Sequence, residues 1–255
     1  EGRGRERFQR AVREDQRLPD LIYTFQHTLM QEVCYESLLA RTRREYHRRI
    51  AQFLEVRLAE VRGADGDVAL LAHHAFAGHD WPRALLYQVQ AGQHAKRLFD
   101  THAAIDHFTK ALHGAAQLST DDTLAQRLSI HTALGELLTT TGQYEQALEQ
   151  LNRARDLATP RNDVTATAHV CRWLARLHEL RGEYPAARDW VRQGLEMLDG
   201  GETADAAEML ITAGLIYSRQ GEYEKALDHC QRGLGIAKHL AELTVLARAY
   251  NLLGH

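Results

Sequence analysis

The chain has 255 residues, of which 44% are hydrophobic, and a formal net charge of −3. Residues 1–62 carry a charge of +3 and the remainder −6, an asymmetry too mild to indicate a nucleic-acid partner. There is no apolar run of about 18 residues and no amino-terminal signal segment, so we expect a soluble protein without a membrane partner. The single, widely separated Cys34, Cys171 and Cys230 are typical of reduced core thiols in a cytoplasmic protein.

The first predicted elements lie within residues 1–62. Residues 21–25 (LIYTF) are rich in β-branched and aromatic side chains, which predicts a short strand. That strand needs a partner, either in the irregular segment before it or in a part of its domain that precedes this chain. Thr28 and Gln31 form a capping-box pattern at the start of a helix, and a second helix is predicted from about residue 42 to 62.

This segment resembles the region that follows the ATPase core in bacterial signal-transduction ATPases with numerous domains. Relatives of that family include ATPase regions attached to class III nucleotide cyclases and transcription regulators of the maltose-activator type. The stretches that carry the resemblance are YTFQH at 23–27, QEVCYESLL at 31–39 and RREYHRRI at 43–50. The resemblance implies that residues 1–62 are the end of a winged-helix-like subdomain with its connecting helices, which lead into residues 63–255.

A short motif recurs three times farther along the chain, at residues 142–148 (GQYEQAL), 182–187 (GEYPAA) and 221–227 (GEYEKAL). The glycines of the copies lie 40 and 39 residues apart, and such a period is typical of stacked helical units. Each glycine is expected to end one helix, and a small residue in each flanking helix lets the two helices approach closely. The positions that define the repeats are Gly135, Gly142, Tyr144, Ala147, Ala175, Gly182, Tyr184, Ala187, Gly214, Gly221, Tyr223 and Ala226.

These sites resemble the tetratricopeptide repeat, a helix-turn-helix unit with small residues at the same places. The resemblance implies an all-α fold, a right-handed α-α superhelix of helix hairpins with a short winged-helix remnant at its amino-terminal end. We expect no strand in residues 66–255, and helices about a turn longer than in the usual repeat of about 34 residues. In the less regular opening, Trp81 replaces the motif tyrosine, and a helix at about 82–98 closes one repeat and opens the next. The array is expected to end inside a repeat helix, next to the small residue Gly254.

Residue patterns typical of catalysis are absent from the sequence. There is no GxxxxGK[ST] loop to bind phosphate and no GxSxG elbow, so we expect neither an enzyme nor a cofactor in this chain. His73 and His74 are adjacent and should point apart on a helix, while His102, His107 and His113 lie five and six residues apart. Because zinc sites on helices need ligands on one face, we expect no metal site.

The first helices of such repeats line a concave surface, and residues about one turn from each small site should project into it. The predicted partner-binding residues are Thr132, Glu136, His169, Arg172, Arg176, Ile211, Leu215, Arg219 and Arg248. The four arginines would favour an acidic or phosphorylated segment, because guanidinium groups pair with carboxylate and phosphate in bidentate fashion. The alternative is a solvated helix face with ion pairs inside the helix, such as Arg176 with Glu179.

Two functional hypotheses follow from these observations. The first is a non-catalytic interaction or sensor module of a multidomain signalling ATPase, in a signal-transduction or transcription-regulating protein. Its repeats would bind a protein partner, a small-molecule inducer or a sister protomer, and relay binding through the helices at 28–62. The second is an independent repeat scaffold that binds an acidic peptide in its concave groove. In both cases the main partner is a protein or peptide and not nucleic acid.

Overall fold

A computed structural model describes residues 27–60 and 65–253, and in these ranges every regular element is helical. The all-α prediction is confirmed there, whereas the predicted strand at 21–25, the 62/63 boundary and Gly254 lie outside the described residues. The helices are α1 (Thr28–Ser37), α2 (Ala40–Glu60), α3 (Asp65–Ala77), α4 (Trp81–Arg97), α5 (Thr101–Ala115), α6 (Thr120–Thr140), α7 (Tyr144–Ala158), α8 (Val164–Leu180), α9 (Tyr184–Met197), α10 (Ala204–Arg219), α11 (Tyr223–Leu240) and α12 (Leu243–Leu253). None of these helices is both long and apolar enough to cross a membrane.

The chain divides into two units, residues 1–45 and 46–255. In the described part of the first unit, α1 begins at Thr28 as predicted, but its N-cap residue is His27 and no side chain caps it. The predicted capping box is therefore wrong, because Thr28 already lies inside the helix. At the other end of α1, the N–H of Leu38 donates to the carbonyl of Tyr35.

The second unit is a series of antiparallel helix hairpins that stack into the predicted superhelix. The hairpins α6/α7, α8/α9 and α10/α11 each pack closely, and the first helices α6, α8, α10 and α12 also contact one another in turn. Helix α4 packs against both α3 and α5, as the half-period of the sequence predicts. A continuous apolar core runs from α4 to α8, and smaller cores lie at either end of the array.

The three motif glycines end the first helix of each hairpin. Gly142, Gly182 and Gly221 have φ values of 78°, 76° and 77°, a left-handed conformation that side chains with a Cβ rarely adopt. In each turn the N–H of the next residue donates to the carbonyl five residues earlier, at N···O distances of 2.9, 2.8 and 2.9 Å. These bonds satisfy the carbonyls at the helix end, as in a Schellman motif. The predicted turns at all three glycines are confirmed.

Two turns near the start of the array have the same geometry without glycine. His79 and Phe99 have φ values of 54° and 60°, and the residue after each makes the same five-residue backbone bond. That residue is Asp80 or Asp100, whose carboxylate also accepts the N–H three residues later. An N-capping aspartate thus stands where the later repeats have the glutamine or glutamate that follows the motif glycine. The sequence motif is therefore degenerate here.

Small residues mark the closest approach between paired helices. A Cβ built on Gly135 in α6 would lie 2.5 Å from Cγ of Leu151 in α7, well inside van der Waals contact. A Cβ on Gly214 in α10 would collide with Cys230 Sγ and lie 3.0 Å from the Ala226 carbonyl oxygen in α11. These contacts leave no space for a methyl group at either glycine. Gly135 and Gly214 therefore lie where the paired helices come closest.

Replacing Gly214 with alanine tests this close approach. We expect Gly214→Ala to destabilise the protein by about 1–3 kcal/mol, because the added methyl group overpacks the contact with a backbone carbonyl. Gly235→Ala is the matched control, since a Cβ there meets nothing within 4 Å in the same hairpin. The control should stabilise by roughly 0.5–1 kcal/mol through helix propensity. Urea unfolding measures both, and equal stabilisation by the two changes would contradict the close approach at Gly214.

Candidate partner-binding groove

The first helices of the repeats form a continuous surface with two recesses. One cleft of about 540 Å³ lies between α4, α6, α8 and α10, and a smaller recess of about 210 Å³ lies between α8, α10 and α12. The cleft contains the predicted residues Thr132, Glu136 and His169. The recess contains the predicted Arg176, Ile211, Leu215 and Arg248. The structure thus places seven of the predicted partner-binding residues in these two recesses.

Ile211 differs from its prediction as an exposed docking residue. Only 2% of its surface is exposed, and it packs against Ala207 and Val245 in the last apolar core. Leu215, one helical turn later, is partly exposed at the same recess. Ile211 therefore forms the floor of the recess, and Leu215 is the apolar side chain that a partner can contact.

The four predicted arginines lie on the groove helices, but each already has an acidic partner. In the ion pair of Arg172, Nε lies 2.6 Å from Asp205 Oδ1, and in that of Arg219, Nη1 lies 2.6 Å from Glu179 Oε1. The complete set is Arg172 with Asp205, Arg176 with Glu179, Arg219 with Glu179, and Arg248 with Glu208. The premise that these guanidinium groups are free to bind an acidic segment is therefore wrong.

Two of these pairs join residues 40 positions apart in the sequence. Glu179 in α8 pairs with Arg219 in α10, and Glu208 in α10 pairs with Arg248 in α12. Lys96 in α4 pairs with Glu136 in α6 at 2.7 Å, again 40 residues apart. Because 40 residues is also the repeat period, each pair links corresponding places on successive groove helices. Opposite charges that recur 40 residues apart are a sequence signal for these pairs, and the prediction based on the arginines alone did not use it.

Burial sets the electrostatics of the charged groups. The side chain of Glu179 is 0% exposed, and it forms ion pairs with both Arg176 and Arg219. Burial lowers the pKa of Arg248 to about 10, and the nearby charge of Arg176 adds to this effect. Burial alone would raise the pKa of Asp205, but the His169 hydrogen bond and the Arg172 charge outweigh it, and the pKa is lowered. Arg248 and Asp205 are therefore both ionised at neutral pH.

Arg172 is held from two directions. Its Nε faces Asp205, although the N–H does not point along the line to the carboxylate oxygen, and its guanidinium lies 4.6 Å from the ring centroid of Trp173. His169 places Nδ1 2.9 Å from Oδ1 of the same carboxylate. Asp205 thus contacts two predicted groove residues, Arg172 and His169, at the edge of the cleft. Asp205 is not among the predicted residues because it lies in the first turn of α10, far from the small site at Gly214.

The sequence analysis expected no metal site at two sets of histidines, His73 with His74, and His102 with His107 and His113. His107, of the second set, contacts Gln88, with Nδ1 2.7 Å from Oε1. His73 and His74 were expected to diverge around α3, but their ring centroids lie 5.2 Å apart and both approach His47 on α2. Sequence spacing within one helix could not reveal this third histidine.

Substitution of Glu179 tests the importance of the paired groove charges. We expect Glu179→Ala to destabilise the protein by about 1–3 kcal/mol, because two arginines lose a buried carboxylate partner yet can still reach solvent. Glu149→Ala removes the partner of Arg153 in an exposed pair and should change stability by less than about 0.5 kcal/mol. Thermal and urea unfolding compare the two variants. Equal, negligible effects would show that the groove pair is no stronger than a surface pair.

Comparison with known proteins agrees with this architecture. Residues 126–200 and 207–239 match family models described as Tetratricopeptide repeat, so the chain contains tetratricopeptide repeats. No curated protein matches the chain by sequence.

Several solved structures share the fold at low sequence identity. The apo form of RapI is 16% identical with a TM-score of 0.59, over 83% of this chain and 58% of RapI. A Rap protein complexed with Competence and Sporulation Factor is 14% identical with a TM-score of 0.55, over 89% and 68% of the two chains. The kinesin light chain TPR-like repeats of Podosopora anserina are 16% identical with a TM-score of 0.52, over 79% and 96%. The chain thus spans little more than half of RapI, and these likenesses establish the fold.

Proposed function

We propose that this chain is a non-catalytic protein-interaction module that binds an extended peptide segment of a partner protein along its groove helices. The observation that carries the proposal is the cleft of about 540 Å³ between α4, α6, α8 and α10. A cleft on the first helices of a tetratricopeptide array is a preformed concave site, and such arrays use this face for binding.

The lining of the cleft indicates the chemistry of the peptide. Ser129 and Thr132 place hydroxyl groups on one wall, and the buried Phe108 and Leu128 form an apolar floor. Several charged groups at the edges are already paired within the protein, as in Lys96 with Glu136 and Asp205 with Arg172. A peptide without a large net charge, held by hydrogen bonds and apolar contacts, therefore fits better than a strongly acidic one. Binding of this kind depends weakly on salt, because few new charge pairs form.

Peptide selection against the intact chain tests the proposal. Peptides enriched from a random display library are labelled, and their affinities are measured by fluorescence anisotropy at low and high salt. Ser129→Trp, an exposed change inside the cleft, should weaken binding about tenfold or more because the indole fills the site. Gln146→Trp, an exposed change of similar size on α7, should leave binding unchanged.

Two results would contradict this function. Failure to enrich any peptide above the background of the display would argue against a peptide-binding groove. Peptides that bind Ser129→Trp as tightly as the unchanged chain would place the binding surface elsewhere. Enrichment of acidic peptides alone, with binding that falls steeply as salt rises, would instead support the acidic-peptide alternative.

We further propose that the module is the sensor arm of a cytoplasmic multidomain signalling ATPase and relays partner, inducer or protomer binding to it. The observation that favours this role is the resemblance of residues 23–50 to the region after the ATPase core in that family. The complete gene should encode a GxxxxGK[ST] phosphate-binding loop upstream of this region. Sequencing the gene decides the matter, and a gene without that loop would leave the independent scaffold as the function.

A further inference from the structure

Three histidines from two helices meet at the edge of the second unit. His47 lies on α2, and the consecutive His73 and His74 lie on α3. The Nδ1 atoms of His47 and His74 are 2.8 Å apart. One nitrogen from each of the three rings can be chosen so that all of them lie within 4.8 Å of one another.

Packing of the surrounding scaffold holds these rings together. Ala51 of α2 packs against Leu71, Ala72 and Ala75 of α3, which keeps the two helices in contact beside the cluster. Arg48, next to His47, donates from Nε to the carbonyl of Gly78 at 2.7 Å. A Cβ on Gly78 would lie 2.9 Å from Cγ of Arg48, so the helices approach closely here as well. The arrangement is therefore preorganised by packing on both sides.

We propose that His47, His73 and His74 form a binding site for a divalent transition-metal ion, with Zn²⁺ the best-suited ion. Tetrahedral zinc with Zn–N bonds of about 2.0–2.1 Å places its nitrogen ligands about 3.3 Å apart. The closest pair of rings would have to separate by roughly half an ångström and the third ring to swing inward, both by side-chain rotation. Imidazole ligands suit zinc, copper and nickel, whereas magnesium and calcium require oxygen ligands.

Burial and the neighbouring rings affect two histidines of the cluster. Burial lowers the pKa of His47 and lowers that of His74 to about 4, with the neighbouring histidine charges as further causes. The contact between the Nδ1 atoms of His47 and His74 needs one shared hydrogen, and a bound ion would take its place.

The cluster also has an access route and an open position. His73 is exposed, whereas His47 and His74 are buried or partly buried, so an ion can enter from the side of His73. Three protein ligands leave a fourth tetrahedral position for water or for a donor from a partner. Among the described residues no carboxylate or thiol joins the group, so its selectivity rests on imidazole alone. A bound ion would fasten α2 to α3, at the amino-terminal end of the array.

Zinc titration of the full chain, with any purification tag removed, tests the site. Isothermal titration calorimetry with ZnCl₂ at neutral pH should show one site per chain and a rise in melting temperature, and MgCl₂ should show neither. His73→Ala should weaken zinc binding by more than about tenfold, since loss of even an outer-shell partner costs 10–100-fold. This variant should fold normally because His73 is exposed, and His74→Gln gives a second test within the buried pair.

A histidine outside the cluster supplies the control. His102 is exposed on α5, so His102→Ala removes one imidazole from the surface without touching the proposed ligands. Zinc binding should remain unchanged in this variant. Equal affinities of the unchanged chain, His73→Ala and His74→Gln, or an equal loss in His102→Ala, would overturn the proposal and identify the cluster as a packed structural histidine group.

Discussion

The close approach of paired helices at their small residues is the constraint on which the rest of the array depends. At Gly135 the neighbouring Leu151 occupies the space that a Cβ would need, and at Gly214 the Ala226 carbonyl and Cys230 do the same. These two sites lie two repeat periods apart, and the small, buried Ala175 holds the corresponding place in the hairpin between them. The first helices of successive hairpins then stack side by side and create the groove. The turn glycines complete the hairpins by letting the backbone reverse direction without strain.

The stacking of the first helices also fixes the electrostatics of the groove. Residues one period apart come face to face, so opposite charges at that separation neutralise each other, as in Glu179 with Arg219. The groove therefore presents hydroxyl and apolar groups between paired charges rather than a field of free arginines. This difference changes the expected partner from an acidic segment to a peptide recognised by shape and hydrogen bonds. Asp205 and Lys96 take part in these pairs, although neither is among the predicted groove residues.

The sequence predicted those features that depend on local backbone geometry and on periodic spacing. A glycine such as Gly142 predicts a left-handed turn because few other residues adopt that conformation. The repeat period then predicts where the next hairpin begins. Contacts between side chains on different helices depend on tertiary packing and not on local sequence, so these contacts were predicted less well. Ile211 and Leu215 look equivalent in the sequence, yet one is buried and the other borders a recess. In the same way, His47 could be joined to His73 only when the packing of α2 was known.

A double-mutant cycle on Lys96 and Glu136 tests the central claim most directly, namely that groove charges are paired between successive repeats. These residues lie 40 positions apart, and their nitrogen and oxygen are 2.7 Å apart at the edge of the cleft. The free energies of unfolding of Lys96→Ala, Glu136→Ala and the double variant give their coupling. The account predicts a favourable coupling of about 0.5 kcal/mol or more. A coupling of zero within error would show that these charges are independent and free for a charged partner.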